Sequence, residues 1–380
     1  MDAVALQLIL GRAQGLNAEQ LLAAVRRAGS RSTGIAAVEA LIGQRPSKLQ
    51  ALGVPPAASR WLHSPDTALL QADREWMVRD RIVLIDSLSD HYPPLLAATG
   101  DAPALLYVRG DAASLTLRQL AIVGTRNPTV AGRRAAARFA LNLARAGLTV
   151  TSGLALGIDA AGHEGALAGG GRTIAVLGTG LDQIHPAQHG LLAARIAAQG
   201  ALVSEYPRGT APLPENFQRR CRLISGLCLG TLVVEAARYS GSLITARLAR
   251  EQHREVFAIP GAIDNPLTRG CHALIQDGAK LVESTQDIFE EIAISFDKQD
   301  DMSPRDDRDR VTAAAVRLDK GHKILLDALG FESVSVDTLV ERTGLPSHSV
   351  VSMLLALELQ GAIGSQAGGC YVRLRGERPS

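Results

Sequence analysis

Several short stretches of this sequence carry residue types suited to holding an anion. Gly124-Thr125-Arg126 follows the apolar run Leu120–Val123 and precedes a helical pattern that starts near Val130. A strand, a glycine turn and a helix N-terminus gather backbone N–H groups at the positive end of a helix dipole. Thr125 adds a hydroxyl donor, and Arg126 a planar fork suited to phosphate. Ser240-Gly241-Ser242 precedes a second helical pattern, Leu243–Gln252, which a serine would cap while nearby amides face a phosphate. Phe217 stands beside Arg219, Arg220 and Arg222. Bases stack on such a ring while arginines meet phosphates, which suits single-stranded nucleic acid. Gly153 lies in a further glycine-rich stretch, 152–159, and Gly178-Thr-Gly-Leu-Asp is another. Each stretch alone also suits a plainer role: a βα turn with a surface arginine, a helix cap, or a buried Phe under a solvated basic face.

The elements that must position these residues alternate from residue 118 onward. Runs of three to six mostly apolar and β-branched residues predict strands at Leu120–Val123, Thr149–Ser152, Thr173–Gly178, Ala201–Ser204, Gly230–Val234, Val256–Ile259 and Lys280–Val282. Helical patterns fall between and after them, at 130–146, 158–168, 187–199, 215–225, 242–253, 268–277 and 285–293. Buried strands alternating with helices imply an α/β fold with a doubly wound, Rossmann-like parallel sheet. Ligands of such sheets bind beyond the carboxyl ends of the strands, where the stretches rich in Gly, Ser and Thr fall. There is no G-x-x-x-x-G-K-[ST], and no G-x-G-x-x-G after the first strand of this series. Neither an ATPase P-loop nor a standard dinucleotide site is supported.

Charge is distributed unevenly. The net +2 of the 380 residues conceals a block, 118–254, with sixteen arginines, no lysine and seven acidic residues, a net +9. That block suggests a polyanionic partner. Arginine-rich codon usage would explain Arg over Lys but not the scarcity of acids. Cys221, Cys228, Cys271 and Cys370 form no C-x-x-C pair and no His/Cys cluster, so reduced thiols and no metal site are expected. The N-terminus has no basic start before a long apolar run, and no stretch approaches the ~20 apolar residues of a membrane span. A cytoplasmic protein without membrane insertion is the expectation.

Flanking segments read differently. Residues 1–64 predict short helices broken by glycines, with Asn17 a cap and Leu49–Ala58 similar to a helix-hairpin-helix turn. Residues 65–117 predict a helix at 68–78 and two strands, 82–86 and 104–110, that add an edge to the sheet, so that 65–295 forms the core. The densely charged stretch 296–317 predicts a disordered linker. Residues 318–376 predict three helices and a β-wing, a winged-helix pattern. Its third helix has no Lys or Arg between 347 and 360, which favours protein packing over major-groove reading.

The motifs together resemble those of the bacterial DNA-processing protein A family (DprA, also called Smf). The marks are Ala121-Ile-Val-Gly-Thr-Arg-Asn-Pro, Ser152-Gly-Leu-Ala-Leu-Gly-Ile-Asp-Ala-Ala, Ala175-Val-Leu-Gly-Thr-Gly-Leu-Asp, Asn216-Phe-Gln-Arg-Arg-Cys-Arg-Leu-Ile, Ser240-Gly-Ser-Leu-Ile-Thr-Ala, Pro260-Gly and Arg269-Gly-Cys-His. The resemblance covers the whole chain and is strongest over 121–292. It implies an extended Rossmann core that binds single-stranded DNA, forms a homodimer, and loads a RecA-type recombinase during natural transformation, without catalysis or a cofactor. It maps the phosphate-binding turn onto Gly124, Thr125 and Arg126, and a basic strip onto Arg219, Arg220 and Arg222. The chain departs from the family pattern at Leu156, usually basic, and at Cys221, often Asn. Two other readings compete. One is a nucleotide-cleaving enzyme similar to the cytokinin-activating phosphoribohydrolases, with Glu235 and the Gly241 loop as candidates, although their P-G-G-x-G-T-x-x-E pattern is absent. The other is a winged-helix regulator of duplex DNA, which the uncharged third helix argues against.

Overall fold

Nine short runs pair into one sheet in the computed structural model, which describes residues 1–292, 320–330, 333–366 and 368–374. The strands are β1 (Ile82–Asp86), β2 (Leu105–Gly110), β3 (Gln119–Gly124), β4 (Thr149–Ser152), β5 (Thr173–Val176), β6 (Ala201–Ser204), β7 (Gly230–Val234), β8 (Glu255–Ala258) and β9 (Lys280–Leu281). Their order across the sheet is β1-β2-β6-β5-β4-β3-β7-β8-β9. From β6 to β9 every pairing is parallel, while β1 and β2 add an antiparallel edge. Running outward from β3, the chain builds β4, β5 and β6 on one side, then returns to lay β7, β8 and β9 on the other. The switch point therefore lies between β3 and β7, whose registers pair Ile122 with Leu232 and Gly124 with Val234. This is the doubly wound sheet expected from the alternating pattern.

Both faces of the sheet are covered, as side-chain alternation requires. Along β2, Leu105 and Tyr107 join one apolar cluster, and Leu106 and Val108 join the other. The first cluster extends without a break into the N-terminal helices Ala3–Gly11, Ala18–Arg27, Pro46–Ala51 and Pro56–His63, through Leu8, Leu21, Leu49 and Leu62. Asn17 caps the second of these helices in a reciprocal capping box with Gln20. Residues Gly34–Leu41, expected as an ordinary helix, wind as a 3-10 helix. Some polar groups buried in the sheet are bonded across it: Thr151 Oγ1 donates to Gln119 Oε1 at 2.7 Å, and Ser152 Oγ to Ile122 O at 2.6 Å.

The C-terminal region is a separate compact unit. Helices Lys320–Leu329, Val336–Thr343 and Ser347–Leu359 pack with a three-stranded antiparallel sheet of β10 (Val334–Ser335), β11 (Ile363–Gln366) and β12 (Cys370–Arg373) around Leu325, Leu339, Val350 and Leu354. This is a winged helix. On its third helix Val351, Leu355 and Leu359 remain exposed at four-residue spacing. The linker expected at 296–317 lies outside the described residues.

Candidate nucleic-acid interface

The turn after β3 sits at the switch point and is fixed by backbone contacts. Thr125 N donates to Glu235 O at 2.7 Å, and Thr125 O accepts from Ile158 N at 3.2 Å. Gly124 has no room for a side chain, because a Cβ there would lie 1.9 Å from Val234 O. Gly157, at φ +81°, brings its own backbone against the turn: a Cβ there would lie 2.4 Å from Thr125 O. Glu235 adopts a left-handed φ of 51°, which starts the loop after β7. The Thr125 amide is thus spent within the protein rather than left for a ligand. Its hydroxyl oxygen accepts from Asn127 N at 3.2 Å, which leaves the hydroxyl proton to be donated. The Arg126 side chain is exposed and pairs with no carboxylate among the described residues.

Beside this turn lies a cleft of ≈ 610 Å³. Gly124, Arg126, Phe217, Arg220, Ser240, Gly241 and Ser242 all line it, with Ala155 from the loop after β4 and Asp159 from the first turn of the helix Ile158–Ala168 that follows. Four separate parts of the chain therefore converge where a doubly wound sheet offers its ligand crevice. Another hollow, ≈ 520 Å³, is lined by Asp111, Gly147, Thr149, Gly171 and Arg172. Its arginine is already paired, Arg172 Nε lying 3.3 Å from Asp111, and none of the expected site residues reaches it.

The basic cluster does not act as one strip. The expected helix at 215–225 is two short helices, Pro214–Arg219 and Cys221–Gly226, meeting at Arg220. Arg219 and Arg222 nonetheless reach the same two carboxylates, and neither lines the cleft. Arg222 is buried and bonds Glu205, with its Nε 3.0 Å from Asp101. Arg219 lies 3.5 Å from Glu205 and 4.0 Å from Asp101. Arg220 turns inward instead. Its Nη1 donates to Val176 O at 3.0 Å, and its guanidinium lies 5.0 Å from the centre of the Phe217 ring. The half-buried Phe217 also contacts His185, ring centres 5.2 Å apart, and packs on Gly178.

Beneath Arg220 is Asp159, a buried carboxylate that accepts from Gly153 N and Ala155 N at 3.2 Å each. Burial pushes its pKa up, and the Arg220 charge pulls it back down. Burial lowers the Arg220 pKa in turn, with Asp159 opposing the shift. Gly153 is therefore part of the support: its amide is spent on Asp159, and a Cβ there would meet Arg220 at 2.7 Å. Cys221 lines the cleft, where its thiol donates to Phe217 O at 3.4 Å and burial raises its pKa.

The serine loop also differs in detail from the expected cap. Its helix runs Ser242–Glu251 with Gly241 at the N-cap, so no side chain caps it. Ser240 Oγ lies 2.8 Å from Ser242 Oγ and accepts weakly from Ser242 N at 3.4 Å. The two hydroxyls form a polar pair on the cleft lining.

A family model described as DNA recombination-mediator protein A matches residues 83–293, more than half of the chain. The chain belongs to that family. A second model, the DprA winged helix domain, matches residues 309–369. The mediator core and the winged helix thus both have family counterparts. Protein Smf of Escherichia coli (strain K12) is 46% identical over 323 residues, 84% of each chain. DNA processing protein DprA of Streptococcus pneumoniae is 46% identical over 204 residues, 54% of this chain and 72% of that protein. Among solved structures, Streptococcus pneumoniae DprA matches with a TM-score of 0.64 at 36% identity, covering 74% of this chain and 95% of that one. The structure of Helicobacter pylori DNA processing protein A, described as giving insight into that protein's single-stranded DNA binding mode, matches with a TM-score of 0.51 at 28% identity, covering 56% of this chain and 96% of that one.

For this recombination-mediator core, sequence reasoning missed Asp159. Its signal was a lone acid in an otherwise apolar, glycine-rich stretch. Sequence reasoning also left Glu235 as a candidate catalytic carboxylate, whereas its backbone carbonyl has a plain structural task on Thr125 N. Among the described residues no helix is long and apolar enough to cross a membrane.

Proposed function

We propose that the switch-point cleft binds single-stranded DNA and that the chain serves as a non-catalytic, cytoplasmic recombination mediator. In this reading it acts as a homodimer that protects incoming strands and loads a RecA-type recombinase in natural transformation. The observation that carries the reading is the meeting of exposed Arg126, the Phe217–Arg220 pair and the Ser240–Ser242 hydroxyls in one crevice. A guanidinium takes phosphate, an aromatic ring takes a base of any identity, and the hydroxyls suit a phosphate or sugar. Few of these groups suit reading of base edges, so sequence preference is weak. Winged-helix reading of duplex is disfavoured because the exposed third-helix positions are Val351, Leu355 and Leu359.

A salt series on single-stranded and duplex probes tests this. Roughly four to six phosphate contacts from the arginines and backbone N–H groups of the expected site would give a log–log slope of about −3 to −4 at ~0.7 per contact. With Arg219 and Arg222 engaged by Glu205 and Asp101, the set that can meet a strand shrinks to the exposed Arg126 and Arg238 and the cleft-lining Arg220. The expected slope is then about −2 for one strand on one protomer, with single strands bound more tightly than duplex. A flat salt response with preference for one duplex sequence would refute the reading.

A further inference from the structure

The loop after β7 holds one aromatic side chain in open water. Tyr239 is 95% exposed. Its backbone is nonetheless pinned. Glu235 O accepts Thr125 N at 2.7 Å, Ala236 O accepts Gly270 N at 2.8 Å, and Ser240 N closes a turn onto Ala237 O at 2.9 Å. Just beyond, Leu243 N bonds Ser240 O at 3.1 Å. A tightly held turn therefore presents a ring that touches little of its own protein. The next three residues, Ser240, Gly241 and Ser242, line the cleft together with Arg126 and Phe217. The chain neighbours of the ring are the exposed Arg238 and the hydroxyl of Ser240. A flat ring flanked by a cation and hydroxyls matches a nucleotide, with its planar base and its phosphate.

We propose that Tyr239 is a second base-stacking platform on the rim of the cleft. It takes a base of the same strand whose phosphate meets Arg126. The inference rests on the single-strand reading above and adds a contact that none of the motifs contains. Tyrosine has only two side-chain torsions, so ordering it against a base costs little entropy, and the pinned turn lowers that cost further. Stacking does not select among bases, because every base offers a π-face. Two rings on different loops of one cleft also make strand length matter. A strand that reaches both Phe217 and Tyr239 binds more tightly than one that reaches only one.

The test uses the full chain and a labelled oligodeoxythymidylate read by fluorescence anisotropy, beside an abasic strand of equal phosphate count. Tyr239→Ala is expected to weaken binding of the thymidylate roughly fivefold to a hundredfold. Tyr239→Phe keeps the ring and is expected to bind as the native chain does. On the abasic strand the native chain and Tyr239→Ala are expected to bind alike. Unchanged thymidylate affinity of Tyr239→Ala overturns the proposal, as does an equal loss on both strands. Phe217→Ala and Arg126→Ala on the same probes separate the two levels. If these lose affinity and Tyr239→Ala does not, the stacking platform falls and the cleft reading stands. If none of the three loses affinity, the cleft reading falls first. A change of oligomeric state in Tyr239→Ala by sedimentation, with strand affinity intact, reassigns the ring to a protein contact and also overturns the proposal.

Discussion

Replacing Arg126 with alanine isolates the phosphate contact from the fold. The turn is held by Thr125 N on Glu235 O and by Ile158 N on Thr125 O, and neither bond involves the Arg126 side chain. The guanidinium is exposed, so its loss strands no buried partner. Stability is therefore expected to change by no more than about 0.5 kcal/mol. In the complex one charge-assisted contact disappears, worth about 1.5–3 kcal/mol, or roughly tenfold to a hundredfold in Kd. One fewer neutralised phosphate makes the log–log salt slope shallower by about 0.7, so the gap to the native chain narrows as salt rises. Arg126→Lys keeps the charge but not the fork, and is expected to restore the slope with only part of the affinity. Anisotropy titrations at four salt concentrations, beside a thermal melt, read both quantities. The contrast is Arg222→Ala, which leaves the buried Glu205 carboxylate without its close partner. That variant is expected to lose about 3–5 kcal/mol of stability while the folded fraction keeps its slope. A folded Arg126→Ala with native affinity would refute the reasoning, and so would a loss of affinity without a change of slope.

His163 gives a pH signature of the fold. It is fully buried, with Nδ1 2.7 Å from Thr173 Oγ1, and burial drives its pKa from 6.5 down to about 3. The unfolded chain takes up that proton first as pH falls. The contribution is therefore complete above pH ~6.5, declines by about 2 kcal/mol between pH 7 and 5, and is lost towards pH 3. Urea melts of His163→Gln, whatever its own stability, are expected to show that much less loss over the same interval; an equal loss in both would remove His163 as the cause. Deleting residues 297–380 is expected to leave single-strand affinity within about threefold, because the exposed apolar side chains of the third helix neither neutralise a phosphate nor donate a hydrogen bond to one. Loss of most of the affinity on that deletion would place strand binding in the winged helix. Glu235→Gln is expected to leave strand binding unchanged, since the bond from Glu235 to the turn is made by its backbone carbonyl, which the change keeps; nucleotide hydrolysis by the native chain that this change abolished would make it an enzyme.

Most of the sheet was legible because its strands are short, largely apolar runs, several of them ended by glycine or serine, a signal contained within each run. The loops of the cleft were legible for a related reason: Gly, Ser and Thr collect at strand ends where backbones must approach closely. Gly124 and Gly157 answer to that need through Val234 O and Thr125 O. What could not be read was partnership across the chain. Arg219 and Arg222 look free in sequence and count toward the +9 block, yet Asp101 and Glu205 reach them from other segments. Asp159 looks incidental until Arg220 is folded over it. Local patterning states which residues a loop contains, and only the tertiary fold states which charges remain unspent.

The two margins of the sheet bear on how copies of this chain can meet. β9 is two residues long, both exposed, one of them Lys280, whose ammonium is held by Glu291 at 3.0 Å. So short and charged a strand gives an incoming chain little to template on. At the opposite margin Gln7 reaches across to β1, donating to Asp86 Oδ2 at 2.8 Å and lying 3.5 Å from Leu84 O. Neither margin invites a further strand, so continuous cross-molecule sheets and the fibrils that grow from them are disfavoured. A meeting of two copies is therefore not expected to extend this sheet, so surface substitutions on its covering helices and loops could alter such a contact without disturbing the strands.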